Sequence, residues 1–266
     1  VQPRATPTRP AAVVLAWTPR ERARAFVRNV LPRRRFRVHT VVDATTAADA
    51  ARTELVDVVL VDLAAEDPWP VAALAREFPS IAFVGLTPGR AADAPAVERC
   101  VALDFAGILV EGMDDAAVEA LLEPVGFGAR FARALTEVPE PLALRTPLQR
   151  EAWAHVVAHA GLPVRTEILA ALLGVTREHL SRTFAAGGAP NLKRVMDLVR
   201  LIAAAELAKN PGYDVADVAR VLQFASSSHL STAAQRVVGV RPASLARLRT
   251  VDLVERFVHG RTRSRS

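Results

Sequence analysis

Cysteine, tyrosine and lysine are nearly missing from this chain, and each shortage removes a class of chemistry. The single cysteine, Cys100, can close no internal disulfide and build no cysteine metal cluster, so it reads as a small buried residue of a protein from a reducing compartment. No apolar run approaches the roughly 18 residues of a membrane span. The opening VQPRATPTRP also lacks the apolar centre of a secretory signal, so a soluble cytoplasmic protein with no membrane partner is expected. There is no glycine-rich phosphate loop with a lysine, no glycine-flanked nucleophilic serine and no Cys/His cluster. His155 and His159 have the spacing of two zinc ligands on a protease helix. The residues between them are Val156, Val157 and Ala158, with no glutamate to act as base, so they read as ordinary helical histidines. The expectation is a protein that is not an enzyme, with no metal site and no cofactor.

The length, 266 residues, suits two domains, each with a core of its own. The net charge of +6 is unevenly spread: residues 1–130 sum to about −2 and residues 131–266 to about +8. Nearly all the cations are arginine, whose fixed charge and planar fork suit phosphate and guanine. The C-terminal half is therefore the half that points to a polyanion.

From Ala12 onward, short apolar runs (AVVLA, RVHTVV, VDVVLVD, SIAFVGL, AGILV) alternate with segments of helical period. Five strands and five helices in alternation imply a parallel sheet covered on both faces. Thr18, Pro19 and Glu21 have the spacing of a capping box, which predicts a first helix capped by Thr18. The pattern lapses between about Gly126 and Thr146, and no strand signal returns. The expected layout is a flexible arm at 1–10, an α/β domain at 11–125, a linker at 126–146, an all-helical domain at 147–248, and a short helix with a basic tail at 249–266.

The helical half contains a weak internal repeat. LAALLGVTREHLS, from Leu169, matches VARVLQFASSSHLS, from Val218, at an offset of about fifty residues. Each copy has the layout of a helix-turn-helix: a helix, a tight turn, then a capping residue and a second helix. Gly174 and Thr176 fill the turn and cap in the first copy, and Ser226 is the cap in the second. Between the copies, NLKRVMDLVRLIAAAELAKN has apolar residues at Leu192, Val195, Met196, Val199, Ile202 and Leu207, and it stops at Asn210-Pro211-Gly212. An amphipathic helix of about 18 residues spans roughly 27 Å. That is long enough to hold two recognition helices near the roughly 34 Å repeat of the DNA major groove.

These features together resemble the DNA-binding domain of the bacterial AraC/XylS family of transcription regulators, over about residues 147–248. The matching residues are HLSRTF at His179–Phe184, Arg200-Leu201 followed by Ala204, the doubled unit, and GVRP at Gly239–Pro242. The second unit departs from the family: Gln223 replaces a usual glycine, Thr232 a frequent arginine and Ala234 a core phenylalanine. In TREHLSRTF, Leu180 and Phe184 form the buried face and Thr176 the cap, leaving Arg177, Glu178, Ser181 and Arg182 outward; Thr176 and these four are the candidate DNA contacts of the first unit. Arg182 can pair with guanine, Glu178 can accept from cytosine N4, and Ser181 can bond base or phosphate. The resemblance implies base contacts at Glu178, Ser181 and Arg182. In the second unit the outward set is Ser226, Ser227, Ser228, Thr232 and Arg236, which suits positioning more than base reading. Lys193 and Arg194 are candidate phosphate contacts, and the terminal RTRSRS a source of nonspecific affinity.

The first half resembles a response-regulator receiver domain, a flavodoxin-like (βα)5 fold with strand order 2-1-3-4-5. In VDVVLVDLAAEDPWP, Asp62 stands at the phosphoacceptor position, and Thr87 at the position of the Thr or Ser that ends the fourth strand. The resemblance also demands an acid pair after the first strand to hold Mg²⁺ and a lysine after the fifth. Trp17-Thr18 stand in place of the acids and Glu111 in place of the lysine. A carboxylate at Glu111 is expected to repel Asp62 by about 4 kcal/mol at an effective dielectric of about 20, with Glu66 or Asp67 as a substitute metal ligand. The expectation is a pseudo-receiver that regulates or dimerises without phosphoryl transfer. The whole chain then reads as a transcription regulator that binds duplex DNA in the major groove, dimerises through its N-terminal domain, and contacts RNA polymerase if it activates. Two other readings stay open: a phosphorylation-dependent response regulator, and an adaptor that acts through protein contacts without DNA.

Overall fold

A computed structural model describes residues 9–262 and divides them between two compact units. Residues 1–8, most of the expected arm, and residues 263–266 of the basic tail lie outside the described residues.

One unit holds Ala11–Arg130 together with the tetrapeptide Asn210–Tyr213. Its five strands are β1 (Ala12–Trp17), β2 (Phe36–Val41), β3 (Val58–Asp62), β4 (Ala82–Thr87) and β5 (Gly107–Val110). All are parallel, in the order β2-β1-β3-β4-β5, as the receiver-like reading requires. The central strands β1, β3 and β4 are buried along their whole length, which explains why their sequences run apolar without alternation. Edge strands β2 and β5 are only partly covered.

The helices of this unit are α1 (Glu21–Val30), α2 (Ala44–Thr53), α3 (Trp69–Ala72), α4 (Leu74–Glu77), α5 (Ala94–Val101) and α6 (Asp115–Leu122). The third expected helix is split into α3 and α4. The break falls at Ala73, whose backbone itself stays in the right-handed helical region (φ −64°, ψ −23°). The predicted Thr18 cap does not form either. Helix α1 starts at Glu21 after Arg20, while Thr18 is buried and its backbone N–H continues the sheet to the Val41 carbonyl (3.0 Å).

The other unit holds residues 9–10, 131–209 and 214–262 of the described chain. The stretch 126–146, expected to be a linker, instead contains helix α7 (Phe127–Ala134) and a 3-10 turn at Glu140–Leu142. Phe127, Phe131, Leu135, Leu142 and Leu144 are buried, and the division between the units falls after Arg130. Then follow α8 (Pro147–Ala158), α9 (Thr166–Leu172), α10 (Arg177–Phe184), α11 (Leu192–Leu207), α12 (Val215–Val221), α13 (Ser227–Val238) and α14 (Thr250–Thr262). Trp153, Leu169, Leu180, Phe184, Val199 and Phe257 supply buried bulk to its core. Helix α14, expected as a short appendage, puts Leu253, Val254 and Phe257 into that core.

Candidate functional site

The sequence repeat becomes a repeat of backbone hydrogen bonds. After α9, Gly174 adopts φ 65°, its N–H donates to the Ala171 carbonyl (3.1 Å), and the Val175 N–H donates to that of Ala170 (3.0 Å). After α12, Gln223 adopts φ 54°, its N–H donates to the Arg220 carbonyl (2.9 Å), and the Phe224 N–H donates to that of Ala219 (2.8 Å). Both are left-handed helix stops that satisfy the last carbonyls of the helix. Glycine takes this conformation freely, whereas Gln223 pays for its Cβ by about 1 kcal/mol.

The following helices begin alike. Thr176 Oγ1 accepts from the His179 N–H (3.2 Å) and Ser226 Oγ from the His229 N–H (3.1 Å). These caps fix where α10 and α13 start and therefore which side chains face outward. The single extra residue in the second turn, Ala225, lies between stop and cap.

Arg200, on α11, secures the second turn. Its guanidinium donates to the carbonyls of Leu222 (2.9 Å), Gln223 (3.3 Å) and Gly161 (3.3 Å), and lies 3.9 Å from the centroid of the Phe224 ring. Burial lowers its pKa from the usual arginine range, and Asp197 partly offsets this. Gly161 lies against α11 at φ 87°, where a Cβ would meet that of Ala203 at 2.3 Å, so only glycine fits.

On the first recognition helix, Leu180 and Phe184 are buried while Arg177, Glu178, Ser181 and Arg182 are exposed, as expected. Arg177 pairs with Glu167 (3.2 Å), and Glu178 and Arg182 form no ion pair with each other. In the second unit Ser228 and Thr232 are exposed, Ser227 is half-buried, and its carbonyl accepts from Ser231 Oγ (2.9 Å). Two expected DNA contacts have partners within the protein itself. Arg236 donates to Asp197 Oδ2 (2.8 Å), and Arg194 covers the Phe257 ring at 5.0 Å from its centroid. Lys193 stays exposed. Linear spacing could not reveal these partners, because Asp197 and Phe257 reach their places only through the packing of α11 against α13 and α14.

In the other unit, Asp62 ends β3 fully buried. Arg20 Nε lies 2.9 Å from both its carboxylate oxygens, and Arg20 Nη2 donates to Asp62 Oδ1 (2.6 Å) and to Glu111 Oε1 (2.5 Å). Arg22 Nε lies 3.5 Å from Glu111 Oε2. The expected repulsion between Asp62 and Glu111 is thus bridged by a guanidinium, a residue that sequence reading missed. Burial alone would lower Arg20, but hydrogen bonds and charge from Asp62 and Glu111 outweigh it and raise the guanidinium above its usual range. The Thr87 hydroxyl donates to Asp93 Oδ2 (2.6 Å), which with Arg90 holds that carboxyl down at about 2. Glu66 and Asp67 are exposed, and among the described residues no group of three metal-ligating side chains assembles. These residues do not fit Mg²⁺, because an arginine lies directly against the carboxylate that would hold it.

Residues 169–247 match the family described as "Helix-turn-helix domain". That range runs from α9 through α13 and takes in both turns, both caps and Arg200. No curated protein matches the chain. Among solved structures it is similar to full-length FixJ from B. japonicum, at 13% identity over 71% of this chain and 95% of that one, with a TM-score of 0.38. Helix-turn-helix domains are a common DNA-binding module of regulatory proteins. No helix among the described residues is long and apolar enough to cross a membrane.

Proposed function

We propose that the chain is a sequence-specific transcription regulator of the AraC/XylS type, whose (βα)5 unit is a pseudo-receiver that works without phosphoryl transfer. The observation that carries the reading is the doubled turn-and-cap geometry on one 16-residue linker helix, with Arg200 fastening the second turn to it. Base reading falls to Glu178, Ser181 and Arg182 of α10. The second unit, whose long cation Arg236 is tied to Asp197, positions the protein on DNA. The Arg20 bridge supports the pseudo-receiver half, since a carboxylate already neutralised by a guanidinium has no role for Mg²⁺ or a phosphodonor. Homodimerisation through this unit, and contact with RNA polymerase if the protein activates, belong to the same proposal.

The test is to select bound fragments from genomic DNA and then measure affinity across salt concentrations. A regulator that grips phosphates loses affinity linearly in log-log form, with a slope of about −0.9 per phosphate contact. An adaptor that binds no DNA is the second reading, favoured by the withdrawal of Arg194 and Arg236 into intramolecular contacts. Failure to enrich any fragment would select it.

A further inference from the structure

The helix-turn-helix unit contains a cleft of about 350 Å³, bounded by the loop after α8, the starts of α9 and α10, and one side of α11. Small-molecule sites begin at about 300 Å³. Much of the lining is apolar: Val156 and Val199 are buried, and Leu162, Val164 and Met196 are partly so. The charges on it are mostly positive. Arg177 is held by Glu167, Arg200 is turned to backbone carbonyls, and the acid of the cleft, Asp197, is bound to Arg236. That leaves Arg165 and Lys193, both exposed and with no carboxylate partner among the described residues.

Two spare cations beside an apolar wall match a molecule with one anionic end and one hydrocarbon end. A DNA phosphate would use the cations but has nothing to place against Val164, Met196 and Val199. We propose that this cleft binds a small monocarboxylate with an apolar body, its carboxylate between Arg165 and Lys193. Arg177, the first residue of α10, borders the same cleft, so an occupant also changes the charge at the start of the base-reading helix. This second consequence, weaker DNA binding when the cleft is filled, rests on the DNA-binding function proposed above.

The test titrates benzoate, octanoate and inorganic phosphate into the full chain and follows the backbone amides of Arg165, Lys193 and Met196 by NMR. Saturable shifts with the two carboxylates, stronger than with phosphate, are expected. Arg165→Ala with Lys193→Ala should weaken carboxylate binding roughly a hundredfold, about tenfold for each of the two lost charge-assisted contacts. Met196→Trp should block it by filling the cleft, with circular dichroism verifying that both variants are folded. Phosphate binding as tightly as octanoate, or carboxylate binding that survives Met196→Trp, would overturn the proposal. Saturating octanoate should also lower affinity for a selected DNA fragment. Unchanged affinity would remove the effector role, and because the NMR titration needs no DNA, the site is judged separately from the DNA-binding function.

Discussion

Replacing Arg20 by alanine asks how much one cation holds together. Arg20 Nη2 touches both Asp62 and Glu111, so their nearest oxygens lie within about 5 Å of each other, and both side chains are nearly inaccessible to water. At that separation two like charges repel by about 3 kcal/mol at an effective dielectric of about 20. Removing one member of a buried ion pair costs about 3–5 kcal/mol by direct comparison. The two estimates agree, and Arg20→Ala should destabilise its unit by about 3 kcal/mol. Because the chain has two compact units, a single global melting curve would mix them. Hydrogen exchange of the β3 amides reads this unit alone. The variant should recover part of the loss in millimolar Mg²⁺, which can take the place of the guanidinium between the two carboxylates. A loss below about 1 kcal/mol would refute the view that Arg20 neutralises this site.

Incubating the wild-type chain with a small phosphodonor and Mg²⁺ should leave its mass unchanged. A stable added phosphoryl group that disappears in Asp62→Asn would make the unit a working receiver. Arg182→Ala should cost about 1–3 kcal/mol in specific DNA binding and relax preference at one base pair, and Thr232→Ala should cost less. Equal losses on specific and random DNA would reassign Arg182 to phosphate. Gln223→Gly should stabilise the helical unit by up to about 1 kcal/mol in chemical denaturation and Gly174→Ala should destabilise it by at least as much, since both positions hold a positive φ; the opposite signs would show that the turn relaxes freely. His155 is buried, its Nδ1 has no partner, and desolvation, aided by His159, lowers its pKa from 6.5. The unfolded chain therefore takes up a proton near pH 6.5 while the folded one does not, so this contribution to stability is complete above that pH and declines below it. His155→Leu should flatten the decline in denaturant midpoint between pH 6.5 and 5, and an unchanged slope would clear His155 of the effect.

Features carried by neighbours along the chain could be read directly. The buried strands are continuous apolar runs because helices cover both faces, and the first turn and both caps of the repeat follow from Gly174, Thr176 and Ser226 at local spacings. The outward face of α10 was legible for the same reason: Leu180 and Phe184, four residues apart, determine which side is inward. The Thr18 cap failed because a local signal competed with a distant one. Thr18 continues the sheet, and Arg20 is drawn across to carboxylates 42 and 91 residues away. Stretch 126–146 looked like a linker because its phenylalanines and leucines follow no regular period, yet Phe127, Phe131, Leu135, Leu142 and Leu144 are buried in the folded chain. The charge of each arginine was evident from sequence, but its role was not. Arg20 neutralises, Arg194 covers a ring, Arg200 holds carbonyls, Arg236 pairs with Asp197 and Arg182 stays open to solvent. A guanidinium on a long flexible stem goes wherever folding brings an acceptor or a ring within reach, and that depends on contacts that only the folded chain creates.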